Sequence, residues 1–284
     1  MTWLISMAAE PTKNIKAGTI VLVGCGQMGS AMLRGWLAGE AAERFVVIEP
    51  MGTVPALADA PGVGWHSRAD ELPDALAPDA VVLAVKPQVI NDVLPAYRRW
   101  ARPGTLFLSI AAGKTIAGIA RHLGPEAAII RCMPNTPAAI GRAITVACPN
   151  PHVAPAQRGL CEALLAAIGE SAWVEDEPLM DAVTAVSGSG PAYVFLLIEA
   201  LAAAGARAGL PPDLALRLAK ETVAGAGELA RLSSDAPSRL RENVTSPGGT
   251  TRAALDVLMA EPGLSELLER AVAAAAARSR DLAN

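Results

Sequence analysis

Continuously apolar, β-branched runs punctuate the first half of the chain: TIVLV from Thr19, FVVI from Phe45, AVVLAV from Ala80, TLFLSI from Thr105, AAIIRC from Ala127, AITVAC from Ala143 and SAWV from Ser171. Helical or turn-rich segments separate them. Strands apolar on both faces belong to a sheet covered on both sides, and crossovers join parallel strands, so the pattern predicts βαβ units and a mainly parallel sheet. After Glu177-Pro178 the texture changes. Alanine and leucine dominate through ALAAAGARAGL, DLALRLAKETVAGAGELARL, TTRAALDVLMA and LSELLERAVAAAAARSRDLAN, with breaks at Pro211-Pro212, Ser246 to Gly249 and Pro262-Gly263. The expected organisation is a leader at 1–17, an α/β domain over 18–177 and an all-α domain over 178–284. Helices this apolar need more partners than the second half alone provides, so a helical homodimer interface is expected.

Gly24-Cys25-Gly26-Gln27-Met28-Gly29 directly follows the first strand run and opens the helical pattern SAMLRGWLAG. Gly24 permits the tight turn, Gly26 lets backbone approach a pyrophosphate, and Gly29 lets helix and strand pack closely. The helix start supplies N–H groups to the anion. The context makes this a Rossmann-type dinucleotide site that includes Gln27 and Met28. Glu49 closes the second strand, where a carboxylate would accept from the adenosine ribose 2′-OH and repel a 2′-phosphate, which favours NADH. Ser67 and Arg68, after the short GVGW run, are the opposing candidates and could hold a phosphate. Val85, Lys86 and Pro87, and then Ala111, Ala112 and Gly113, follow later strands. Ligands in open α/β sheets bind beyond the strands' C-terminal ends, so these residues are expected to flank the cofactor.

Composition narrows the partners. Lys plus Arg is 24 against 28 Asp plus Glu, a net charge of −4, which argues against nucleic acid. Four scattered cysteines (Cys25, Cys132, Cys148, Cys161) and three scattered histidines lack metal-ligand or disulfide spacing, so no metal and a reduced, cytoplasmic protein are expected. The stretch Ala192–Ala206 carries Glu199 at its centre and is half alanine. It falls short of a bilayer span and reads as a buried helix on which Tyr193 and Phe195 pack. Glu175-Asp176-Glu177 reads as a solvated turn.

Arg241-Glu242-Asn243-Val244-Thr245-Ser246-Pro247-Gly248-Gly249-Thr250-Thr251 precedes the pattern RAALDVLMA. Pro fixes the entry, the glycines free the backbone of bulk, and the helix start presents unpaired N–H groups beside hydroxyls, a socket for a small carboxylate. An ordinary structural N-cap is the alternative.

With these motifs in hand the chain resembles the pyrroline-5-carboxylate reductase family over residues 19–280. The resemblance rests on VGCGQMGSAM (23–32), LAVKPQ (83–88), SIAAGKT (109–115), RCMPNTPAAIGRA (131–143), VSGSGPAYVF (186–195) and LRENVTSPGGTT (240–251). It implies an α/β Rossmann-type N-terminal domain, an all-α C-terminal dimerisation domain, dimers that can build a decamer, and reduction of 1-pyrroline-5-carboxylate to L-proline with NADPH or NADH. By motif the carboxylate loop falls on Ser246, Gly248, Gly249, Thr250 and Thr251, with Asn243 near both ligands and Met133 to Thr136 lining the cleft. Thr251 is the expected hydrogen-bond partner of the imine nitrogen. Two departures stand out. Glu49 occupies the position where many members carry a small or hydroxyl-bearing residue, and Asp235-Ala236-Pro237 replaces their EHP.

The nearest rival, a β-hydroxyacid dehydrogenase, needs a lysine on the helix after Ser187-Gly188-Ser189-Gly190-Pro191, and none occurs there. A reductase of a related cyclic imine differs by only about 1 to 3 kcal/mol per methylene. A dinucleotide-binding protein without turnover is the remaining class, and the intact 246–251 loop argues against it.

Overall fold

The computed structural model of the protein describes residues 16–283. The expected leader lies outside the described residues except at its end. Ala17 is buried and belongs to the first strand, pairing with Ala42, so the fold begins one residue earlier than expected.

The elements of the first unit are β1 (Ala17–Val23), α1 (Gln27–Ala38), β2 (Ala42–Ile48), β3 (Val63–His66), β4 (Ala80–Leu83), α2 (Ile90–Val93), β5 (Leu106–Ser109), α3 (Ile116–Leu123), β6 (Ala128–Met133), β7 (Ala143–Pro149), α4 (Pro155–Ala166), β8 (Gly169–Trp173) and α5 (Leu179–Val183). Eight strands form one sheet in the order β3-β2-β1-β4-β5-β6-β7-β8. Every pair is parallel except β6 with β7. That exception follows from the link: a short 3-10 turn at Thr136–Ile140 cannot carry a crossover, so the chain reverses.

Side chains alternate across the strands, as the period of two requires. Ile20, Leu22, Phe45 and Val82 face Met32, Leu33 and Trp36 of α1 and Leu164 of α4. Val21, Val23, Val46 and Val81 face Ile90, Leu94, Trp100 and Ile119 on the other side. The indole N–H of Trp36 donates to the carbonyl of Leu164 at 2.9 Å, tying α1 to α4.

Chain contacts divide the molecule between Gly188 and Ser189, and residues 275 onward group with the first unit. There Ser279 Oγ donates to Asp181 Oδ1 at 2.6 Å. The second unit holds α6 (Gly190–Arg207), α7 (Pro212–Leu232), α8 (Pro237–Asn243), α9 (Thr250–Leu258) and most of α10 (Leu264–Ala283). Helices α6 and α7 pack closely where Gly205 meets Ala215.

Two expectations for this region are corrected. A π-helical turn at Thr184–Gly188 links α5 to α6, so the helical stretch runs from Leu179 to Arg207 and is long and apolar enough to cross a membrane by length and composition. Nor is α6 buried within one chain. Phe195, Leu196 and Leu197 are 57, 63 and 50% exposed, and no residue of α6 is buried. An apolar helix surface left open on this scale marks an interaction surface.

Candidate functional site

Parallel strands deliver their C-terminal ends to one edge of the sheet, and the order reverses between β1 and β4, which is where such folds open a ligand crevice. On this edge stand the glycine turn after β1, Glu49 after β2, Ser67 after β3, Val85-Lys86-Pro87 after β4 and Ala111-Ala112 after β5. Gly24 has φ +87°, and a Cβ there would lie 2.9 Å from the Ala84 carbonyl oxygen and 3.1 Å from Val85 Cγ1. A Cβ on Gly29 would overlap the carbonyl of Gly24. Over Gly26 nothing lies within 4 Å, and α1 opens at Gln27 with no side-chain cap and no acid in its first turn. The residues therefore fit a diphosphate: open space above a backbone loop, and uncapped N–H groups at the start of a three-turn helix.

Glu49 is anchored to that loop. Its Oε2 accepts from the Cys25 N–H at 2.7 Å and its Oε1 from the Met51 N–H at 3.1 Å. Burial first, and then the Glu49 carboxylate, push the Cys25 thiol up to about 11. Next to Glu49 lies an open cavity of about 190 Å³ lined in part by Thr53, Trp65, His66, Ser67 and Glu71. Glu71 accepts the Ser67 hydroxyl on Oε1 and the Ser67 N–H on Oε2 at 3.2 Å, and Oε2 is 3.5 Å from His66 Nδ1. Those contacts, led by the Ser67 hydroxyl, hold the Glu71 carboxyl below its usual range. Arg68 is paired with Asp70. The sequence reading missed Glu71; its place four residues after Ser67 has no signal without the fold.

Further along the same edge, Ala112 and Ile116 pack on a small cluster of Met133, Cys148 and Met180. Asn135 is buried and its Oδ1 accepts from the Ile144 N–H at 3.1 Å, which fixes the 133–136 segment. Glu177 is no solvated turn residue. Its Oε1 accepts from Arg131 Nη1 at 3.0 Å and from the Ile116 N–H at 2.8 Å, so it joins β6 to the start of α3 just beyond the Ala111–Gly113 loop. An arginine inside AIIRCM demanded a buried counter-charge, and that was the available signal. Leu282, near the chain end, lies against Gly113.

In the second unit, α8 ends at Asn243, which is exposed. Thr245 then folds back, its N–H donating to the Glu242 carbonyl at 3.0 Å and its hydroxyl to the Arg241 carbonyl at 2.6 Å. The Gly249 N–H donates to the Ser246 carbonyl at 3.1 Å, and Ser246 Oγ fills the space a Gly249 side chain would need. Gly248 has φ +71° with nothing near its missing Cβ. Helix α9 starts at Thr250 and Thr251 with no side-chain cap and no acid in its first turn. This arrangement can receive a small anion on backbone N–H groups flanked by hydroxyls. Among the described residues no group of three His, Cys, Asp or Glu side chains could hold a metal ion.

The first unit thus defines the class: a Rossmann-type nucleotide-binding unit in the manner of the NAD(P)-dependent oxidoreductases, followed by helices with an unburied apolar surface. Residues 19–113 match the family model described as NADP oxidoreductase coenzyme F420-dependent, and residues 177–282 match that for pyrroline-5-carboxylate reductase dimerisation. The chain is 44% identical over 218 residues to a pyrroline-5-carboxylate reductase of Pseudomonas aeruginosa (77% of this chain, 78% of the relative). It is 42% identical over 266 residues to one of a Synechocystis species (92% and 97%). A solved pyrroline-5-carboxylate reductase from Coxiella burnetii superposes with a TM-score of 0.85 at 34% identity, covering 93% of this chain and 98% of that one. A pyrroline carboxylate reductase of Plasmodium falciparum with NADP bound gives 0.81 at 29%, covering 94% and 98%. The chain belongs to the pyrroline-5-carboxylate reductase family.

Proposed function

We infer that this chain reduces 1-pyrroline-5-carboxylate to L-proline with NADH or NADPH. Family membership supports the activity, and the observation that carries the substrate assignment is the uncapped start of α9 behind the Gly248 turn. Its N–H groups and the Ser246 hydroxyl would clamp the substrate carboxylate, with Gly249 and Thr250 completing the wall. Gly24, Gly26, Gln27, Met28 and Gly29 would hold the diphosphate, Glu49 and Ser67 border the adenosine ribose, and Val85, Lys86, Pro87, Ala111 and Ala112 flank the nicotinamide. Asn243, at the mouth of the substrate loop, would reach both ligands. When bound, the reduced nicotinamide supplies the hydride that the C=N carbon accepts. The Thr251 hydroxyl would hydrogen-bond the ring nitrogen; as a weak acid it relays a proton from solvent or positions an imine already protonated.

The domain roles follow: the α/β unit carries the cofactor and the helical unit the substrate loop and the dimer surface. Apolar side chains left open on α9 and α10, such as Val257 and Leu267, would serve a decamer built from five dimers. Four unpaired, buried cysteines suit a reducing cytoplasm. Loss of dinucleotide absorbance on adding pyrroline-5-carboxylate tests the activity, and absence of turnover with either cofactor would end the proposal. Thr251→Ala is expected to lower kcat by about ten-fold or more while Thr251→Ser restores it. Light scattering is expected to give ten chain masses, and a dimer mass would remove the decamer.

A further inference from the structure

The cavity beside Glu49 contains a set of donors suited to a phosphate, and the protein has already placed an anion on it. Ser67 offers a hydroxyl and an N–H, and His66 offers a ring nitrogen, but all three are turned to Glu71. Arg68, the nearest arginine in the sequence, is spent on Asp70. Among the described residues no lysine or arginine lines the cavity, whereas two carboxylates do. Glu49 itself is held by the Cys25 and Met51 N–H groups, one on each oxygen, which leaves a lone pair free on each for a neutral hydroxyl.

We propose that this chain selects NADH over NADPH through two carboxylates, with Glu49 accepting the ribose 2′-hydroxyl and Glu71 standing as a built-in anion on the donors a 2′-phosphate would need. The proposal rests on the dinucleotide-binding reading above. A phosphate monoester carries about −1.5 to −2 charge at neutral pH, so it would have to displace Glu71 from Ser67 and stand beside Glu49 at the same time. A 2′-hydroxyl does neither. Discrimination against the 2′-phosphate therefore lies as much in what Ser67 is bonded to as in the residue that follows β2.

Isothermal titration of the intact protein with NADH and NADPH, without substrate, reads the selectivity independently of turnover. The expected result is NADH binding at least about ten-fold tighter, or about 1.4 kcal/mol. Glu71→Ser should tighten NADPH several-fold and leave NADH nearly unchanged, because Ser67 is released without touching Glu49. Glu49→Ser combined with Glu71→Ser should bring the two cofactors level or invert them. The preference should also shrink as salt is raised, as for charges near solvent. Thermal melts of each variant verify folding. NADPH binding as tightly as NADH in the unaltered protein, or a folded Glu71→Ser variant with no gain toward NADPH, would overturn the proposal while leaving the reductase assignment standing. Failure of both dinucleotides to bind would overturn both.

Discussion

Removing the Glu177 carboxylate should destabilise the first unit and loosen the cofactor edge together. Arg131 is 3% exposed, and Glu177, 25% exposed, meets it at 3.0 Å. Among the described residues, two further guanidinium nitrogens of Arg131, Nε and Nη2, are buried without hydrogen-bond partners, so Glu177 is the carboxylate that directly meets the charge. Stranding a fully buried cation costs about 3 to 5 kcal/mol. Solvent access at Glu177 reduces this to about 2 kcal/mol, and the lost acceptor for the Ile116 N–H adds about 1 kcal/mol. At roughly 2 to 4 °C per kcal/mol for a chain of this size, Glu177→Ala should melt about 6 to 12 °C lower. Glu177→Gln keeps an acceptor for Ile116 but leaves Arg131 uncompensated, so it should fall between. Arg131→Met with Glu177→Gln removes both charges and should recover part of the loss, giving a coupling of the two sites. Because Ile116 starts α3 just past Ala111–Gly113, dinucleotide affinity should weaken in Glu177→Ala. A melting temperature within about 1 °C of the unaltered protein would refute the reasoning, since no buried cation can lose its counter-charge at so small a cost.

Gly248→Val places a β-branched side chain at φ +71° and fills the open space above the 246–251 loop; the substrate KM is expected to rise about ten-fold or more with dinucleotide affinity unchanged, and an unaltered KM would remove the loop from substrate binding. Alkali should destabilise the protein through its thiols. Cys25 and Cys148 are each pushed from 9.0 to about 11, chiefly by burial. Their folded values lie above the unfolded ones, so this stability is fully present below about pH 9 and is lost as the pH rises toward about 11. The melting temperature should decline across that window, and Cys25→Ala with Cys148→Ala should lessen the decline, the buried Cys132 thiol, also pushed up by burial, remaining; an unchanged slope in a folded double variant would exclude Cys25 and Cys148 as its source.

Hydrophobic periodicity alone determined much of this protein. Runs apolar at every position meant a sheet covered on both faces, and the glycine turn after the first run and the 246–251 loop were legible as an open backbone turn and an uncapped helix start, because each depends on local backbone chemistry. What neighbours across the chain do to one another was decided only in three dimensions. The antiparallel β7 came from a link too short for a crossover. Glu177 turned partly out of solvent because Arg131 of β6 stands beside it. Ser67 looked free to hold a phosphate until folding brought Glu71 onto it, since the hydrogen bonds of a side chain depend on where the next turn of chain places a partner. The same reason explains α6: its alanine and leucine pattern forecast burial, yet no residue of α6 is buried within one chain, and composition carries no record of which surface a helix will meet.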